Sequence, residues 1–203
     1  RIVTTAGDRT ARVWEADGTG EPIVLAGHTE GRIRSVAWSP DGKLIAFSSK
    51  RQGDPDRNVN SDIYVISTTA GSEPRRLTTW EGPDSSPVFS PDGKRIAYLR
   101  GGPPKYAWYD PDQVATISVD GGKPSVLTES LDRNVFAPRW SLDGRTIYFL
   151  VADDRIQTVS AVPANGGAIR SIYPDRRNPG VAWSFEVGAK GIVTLTGFPT
   201  RPA

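Results

Sequence analysis

Short apolar runs alternate with turn-forming clusters along the whole chain. Thr10-Ala11-Arg12-Val13-Trp14 places Ala11 and Val13 on one face and Thr10, Arg12 and Trp14 on the other, the period of a strand. Arg1–Thr5 and Pro22–Leu25 read as strands on either side of it. From Ser35 onward each unit holds four short strands. Ser35–Ser39, Leu44–Ser48, Ile63–Ile66 and Arg75–Thr78 form the first such unit. Pro87–Phe89, Ile96–Leu99, Val114–Ser118 and Ser125–Thr128 form the second. Ala137–Trp140, Thr146–Leu150, Gln157–Ser160 and Ile169–Tyr173 form the third, and Val181–Trp183 with Ile192–Leu195 begin a fourth.

One turn recurs between the first two strands of each unit. Trp38-Ser39-Pro40-Asp41-Gly42-Lys43 returns 51 residues on as Phe89-Ser90-Pro91-Asp92-Gly93-Lys94, and 51 further on as Trp140-Ser141-Leu142-Asp143-Gly144-Arg145. A degraded copy, Trp183-Ser184-Phe185-Glu186, follows after another 43. Pro presets the turn's first dihedral, and Asp and Gly suit the positions that close the hairpin. Asp41, Gly42, Asp92, Gly93, Asp143 and Gly144 are therefore structural turn residues. Trp38, Phe89, Trp140 and Trp183 recur at the same period and are expected in the core between units. Strand-type repeats at this spacing predict an all-β fold, a β-propeller of about four to five four-stranded antiparallel blades. The expected boundaries are a partial blade over 1–30, blades over 31–80, 81–131 and 132–175, and an incomplete blade over 176–203. The terminal strands are expected either to join the leading three in one blade or to leave open edges for self-association.

Composition narrows the function more than the fold. The 203 residues are 37% hydrophobic and 24% charged, with 21 Gly and 17 Pro, a turn-rich balance. A net charge of +2 without long basic runs argues against nucleic acid or an anionic membrane as partner. No apolar run approaches the ~20 residues of a membrane span. The chain has no Cys, which excludes disulfides and cysteine-bound zinc, and no Met, so Arg1 is expected to follow a cleavage or an excision from a longer protein. Bacterial cytoplasm and periplasm both stay open.

Candidate chemistry is sparse. There is no G-x-S-x-G nucleophile elbow, and a catalytic triad would have to use His28, the single histidine, which sits in a Gly27-His28 turn of structural type. The expectation is a chain with no catalytic set and no cofactor. Oxygen-bearing side chains alternate from Asp54 to Asp62, yet an EF-hand would want Gly and Glu where Val59 and Val65 stand, so a flexible or partner-facing loop is expected there, with no metal. The loop Gly101–Asp112 carries Tyr106, Trp108 and Tyr109. Aromatics in a Gly/Pro-rich loop either pack on their own blade or form a partner-binding patch for protein or peptide, and these three are the candidates for such a patch.

The first 43 residues, with Gly27-His28, Asp8 and Val13-Trp14, resemble a WD repeat. In such repeats a His, a turn Asp, a Ser/Thr and a Trp form a hydrogen-bonded set; here Asp8 and Trp14 precede His28 and the set is divided between two units. From Ser35 to Ala203 the phasing resembles TolB-like propellers and the N-terminal propeller of prolyl oligopeptidase-family serine peptidases, the acylaminoacyl-peptidase branch in particular. The peptidase resemblance implies a propeller that gates substrate for a separate hydrolase domain of a parent protein. The TolB resemblance implies a protein-binding module of the bacterial envelope. The change of character around Ser39–Lys43 admits a third origin, an engineered or recombined chimera.

Overall fold

A computed structural model describes residues 1–5, 10–25, 33–50, 60–106, 109–153, 156–173, 181–189 and 191–198. Their strands form antiparallel sheets that follow one another in sequence. The first holds β1 (Ile2–Thr5), β2 (Ala11–Trp14) and β3 (Ile23–Leu25). The second holds β4 (Ile33–Trp38), β5 (Leu44–Ser49), β6 (Asp62–Ser67) and β7 (Arg75–Arg76). The third holds β8 (Asp84–Phe89), β9 (Arg95–Arg100), β10 (Gln113–Ser118) and β11 (Ser125–Val126). The fourth holds β12 (Val135–Trp140), β13 (Thr146–Asp153), β14 (Ile156–Pro163) and β15 (Arg170–Tyr173), and the fifth β16 (Val181–Gly188) and β17 (Gly191–Phe198). The leading strands β4, β8, β12 and β16 neighbour one another in turn, as the inner strands of propeller blades do.

Both faces of the middle sheets are apolar, and each face packs on the next sheet. Ile45 and Phe47 of β5 meet Ala11 and Val13 of the first sheet, while Ala46 between them faces Phe89, Ile96 and Tyr98 of the third. Ala97 and Leu99 then face Trp140, Ile147 and Phe149 of the fourth, whose Leu150 and Val159 meet Ala182 and Phe185 of the fifth. This explains why the second strands read as continuous apolar runs.

The recurring turn is a small hydrogen-bonded lock. Ser39, Ser90 and Ser141 each donate through Oγ to the Asp two residues on, at 2.7, 2.6 and 2.6 Å. The same Oγ accepts the N–H five residues on, at 2.8, 2.9 and 2.9 Å. Gly42, Gly93 and Gly144 take φ of 70°, 71° and 68°, open to Gly at no steric cost. The Ser hydroxyl, the N–H two residues on and the charge of Lys43, Lys94 or Arg145 together hold Asp41, Asp92 and Asp143 below the usual carboxylate range. Leu142 stands where Pro40 and Pro91 stand and the lock is unchanged.

Bonds also cross from blade to blade on this turn side. The Trp140 indole N–H donates to Val88 O at 3.0 Å. The Arg95 guanidinium, 5.0 Å from the Trp140 ring centroid, donates to Gly144 O, Ala164 O and Asn165 Oδ1 at 3.3, 3.1 and 2.9 Å. Arg75 reaches Val119 O at 2.7 Å.

Two expectations need correction. Trp183-Ser184-Phe185-Glu186 is no turn: β16 runs through it, with a bulge between Ala182 and Ser184, and the hairpin closes beyond Gly188. Ala182 and Phe185 fill the core there, and Trp183 is 56% exposed instead of buried, because the bulge puts it outside that packing. Among the described residues no ladder joins β16 and β17 to β1–β3.

Replacing Ser90, whose hydroxyl is buried between an N–H and a carboxylate, by Ala should cost about 1–2 kcal/mol in urea unfolding. Arg95→Ala should cost a similar amount, roughly 1–3 kcal/mol, with no change in the far-ultraviolet strand signal, since it unfastens two blades without touching a ladder.

Candidate functional site: the loop face

At the end of the sheets opposite the Ser-Asp-Gly turns, three loops meet. They join β7 to β8, β9 to β10 and β11 to β12. Trp80 in the first donates its indole N–H to Gly101 O at 2.9 Å and its own carbonyl accepts from Asn60 Nδ2 at 3.0 Å. The backbones approach so closely that a Cβ on Gly82 would overlap the Gly102 carbonyl, and one on Gly102 would overlap the Asp110 side chain. Asn134 Oδ1 in the third loop accepts from Asp112 N at 2.9 Å, and its carbonyl accepts from Ala152 N at 2.9 Å. The Gly-rich sequence here is thus a requirement of packing.

Between these loops lies a cleft of about 370 Å³ lined by Trp80, Arg100, Gly102, Asp110, Gln113 and Glu129 among others. The central carbon of the Arg100 guanidinium lies over Trp80, 3.7 Å from the ring centroid. The β9–β10 loop, which lends Gly101, Gly102, Asp110 and Pro111 to that lining, is also the loop of the aromatic candidates. Tyr106 ends a 3-10 turn over Pro104–Tyr106 and its carbonyl accepts from the N–H groups of Tyr109 and Asp110 at 2.8 and 2.9 Å. Tyr106 is 45% exposed and Tyr109 86%. Lys105 Nζ lies 5.1 Å from the Tyr106 ring centroid. Trp108 lies outside the described residues, as do His28, Asp8 and the alternating acidic stretch up to Val59; Asp62, at that stretch's end, opens β6.

Under the cleft, the seam between the second and third sheets holds buried charge. Asp84 at the start of β8 is 0% exposed, and neither carboxylate oxygen has a hydrogen-bond partner, although its backbone is clamped to Ser61 by Asp84 N→Ser61 O at 2.6 Å and Ser61 Oγ→Asp84 O at 2.9 Å. Burial pushes its carboxyl up to about 7 against the opposing pull of Thr78, Arg100 and Arg76; the neighbouring Asp62 charge adds to the rise. Burial also raises Asp62, though Arg76 pairs with it at 2.8 Å, and raises the Tyr98 phenol, which has no partner either. Asp112 is raised by burial alone. Among the described residues no group of three or more His, Cys, Asp or Glu is placed to hold a metal ion.

The structure therefore keeps Tyr106 and Tyr109 together on one exposed loop beside the cleft, and sets the turn residues Asp41, Gly42, Asp92, Gly93, Asp143 and Gly144 at the far end. Trp80, Arg100 and Asp84 were not singled out by the sequence. The one signal for them was polar residues just ahead of Pro87, where the strand starts three residues earlier than the apolar pattern suggests.

Comparison with known proteins agrees with this architecture. Residues 9–186 match the family model described as the TolB beta propeller domain, PD40, across the Ser39–Lys43 turn. The dipeptidyl-peptidase 5 of Trichophyton schoenleinii is 32% identical over 170 residues, 78% of this chain and 23% of that protein. That of Porphyromonas gingivalis is 30% identical over 155 residues, 75% of this chain and 22% of that protein. Among solved structures, TolB from Acinetobacter baumannii superposes with a TM-score of 0.61 at 20% identity, covering 85% of this chain and 40% of that one, which speaks to fold alone. The chain thus spans about a quarter of the curated relatives it matches. With a family match over most of its length and blades that pair, pack and turn as described, the chain belongs to the TolB β-propeller domain family.

Proposed function

We propose that this propeller is a non-catalytic part of a serine-peptidase-type protein, and that its loop face receives polypeptide, either substrate on its way to a hydrolase domain or a partner. The observation that carries this reading is the exposure of Tyr109 and Tyr106 on the loop whose Gly101, Gly102, Asp110 and Pro111 line a cleft of about 370 Å³. Exposed aromatics beside a concave surface concentrate binding energy at interfaces. The similarity to dipeptidyl-peptidase 5 supports the peptidase context, because it covers less than a quarter of those proteins and leaves room for a hydrolase domain. Trp108, on the same loop, belongs to the proposed patch by sequence. The first sheet supports a WD-like origin through one bond, Trp14 Nε1 to Thr4 Oγ1 at 2.8 Å. The blade boundaries at 30, 80, 131 and 175 are proposed with it.

The test uses the full-length protein that contains this propeller. Tyr109→Ala and Tyr106→Ala should each lower kcat/KM on a peptide substrate about 5- to 30-fold, the effect of one interface anchor, with an unchanged unfolding midpoint. The chain of 203 residues alone should show no aminopeptidase, dipeptidyl-peptidase or esterase turnover. Turnover of the isolated chain that His28→Ala abolishes would overturn the reading. Unchanged kinetics in both tyrosine variants would remove the loop face from it.

A further inference from the structure

Asp84 and Arg100 stand directly opposite each other on β8 and β9, the third sheet's first two strands. Side chains so placed have Cβ atoms about 5 Å apart, well within reach of an arginine. Yet they do not pair. The guanidinium lies on Trp80, 3.7 Å from its centroid, and has no carboxylate partner among the described residues. The carboxyl lies fully buried with neither oxygen in a hydrogen bond of good geometry, and the Thr78 hydroxyl is the one side-chain donor that favours its charge. A buried carboxylate ion left without partners is costly, whereas a buried neutral carboxyl is tolerated far better. The arrangement on view is the one a proton on Asp84 would stabilise.

We propose that Asp84 and Arg100 form a proton-controlled switch under the cleft: with Asp84 protonated the guanidinium rests on Trp80 and lines the cleft, and with Asp84 ionised it turns across the ladder to the carboxylate and leaves the indole bare. The groups that face Asp84 are consistent with one cation being recruited. Asp62 on β6 repels its charge, but Arg76 on β7 is already engaged at 2.8 Å with Asp62. The Thr78 hydroxyl, on the segment after β7, accepts from Ile63 N at 2.9 Å. Tyr98 on β9 adds a buried phenol without a partner. Arg100 is the one cation among them without a carboxylate partner among the described residues. The Asp84 carboxyl titrates near 7, so the switch falls in the physiological range. Because Trp80 also holds Gly101 through its indole N–H, a change at its face reaches the cleft wall directly.

The sign for stability follows. Asp84 titrates higher folded than unfolded, so its contribution is full below about pH 4 and is lost as pH rises through about 7. Asp62, raised as well, acts in the same direction.

The test is a pH titration from 5 to 9 that follows the Trp80 indole N–H resonance, assigned by its loss in Trp80→Phe. The expected result is a shift with a midpoint near 7 in the parent chain that is absent in Asp84→Asn, whose resonance stays at the low-pH position. In Arg100→Lys, which keeps the charge but not the planar stack, the Asp84 carboxyl carbon should still titrate while the indole shift is lost. A Trp80 shift that persists in Asp84→Asn, or an indole that ignores pH in the parent chain, would overturn the switch. Should Asp84→Asn not fold, Arg100→Lys decides alone: an unaltered indole titration there refutes it.

Discussion

No sheet in this protein can stand alone, because each middle sheet is apolar on both faces. Adjacent residues of one strand, Ile45 and Ala46 or Ile96 and Ala97, serve two different interfaces. A sheet built this way is stable only when flanked on both sides, and the radial order of blades is the packing that satisfies every face in turn. The inner strands meet as a result, and so do the loops at one end and the Ser-Asp-Gly turns at the other. Polar fastenings such as Arg95 and Trp140 add to a contact that burial has already set.

The architecture was legible in the sequence because turn chemistry is local. Ser, Asp and Gly at fixed offsets specify one hairpin whatever surrounds them, and Leu142 in place of Pro did not disturb it. Reading failed where the spacing itself changed. Trp183 followed the residue pattern of Trp140, but a bulge beside it shifted which side chains face inward, and a bulge leaves no mark in composition. The aromatic loop was legible as a surface feature because Gly and Pro prevent its burial in a ladder. The cleft behind it was not, since it arises from three loops that are distant in sequence. Asp84 was missed for a related reason: a lone Asp ahead of a strand looks like a turn residue until the ladder shows it opposite Arg100.

The two ends of the sheets divide the work of the molecule. The turn end is saturated with hydrogen bonds, and its carboxylates are held in their ionised form by hydroxyls and N–H groups. The loop end has buried oxygens left unbonded and an arginine resting on an indole. Polar groups short of partners concentrate where a structure binds or responds, and here they gather under the cleft.

The turn lock also bears on the order in which the chain acquires structure. Ser90 reaches only to Asp92 and Arg95, while the Arg95 guanidinium bridges to a carbonyl 69 positions away. Contacts within a few residues close in microseconds, and those across such loops wait on the slower loss of chain entropy. Each hairpin is therefore set before its neighbour exists to be docked against. A nascent chain emerging one blade at a time meets each new interface with the register of its first two strands already decided.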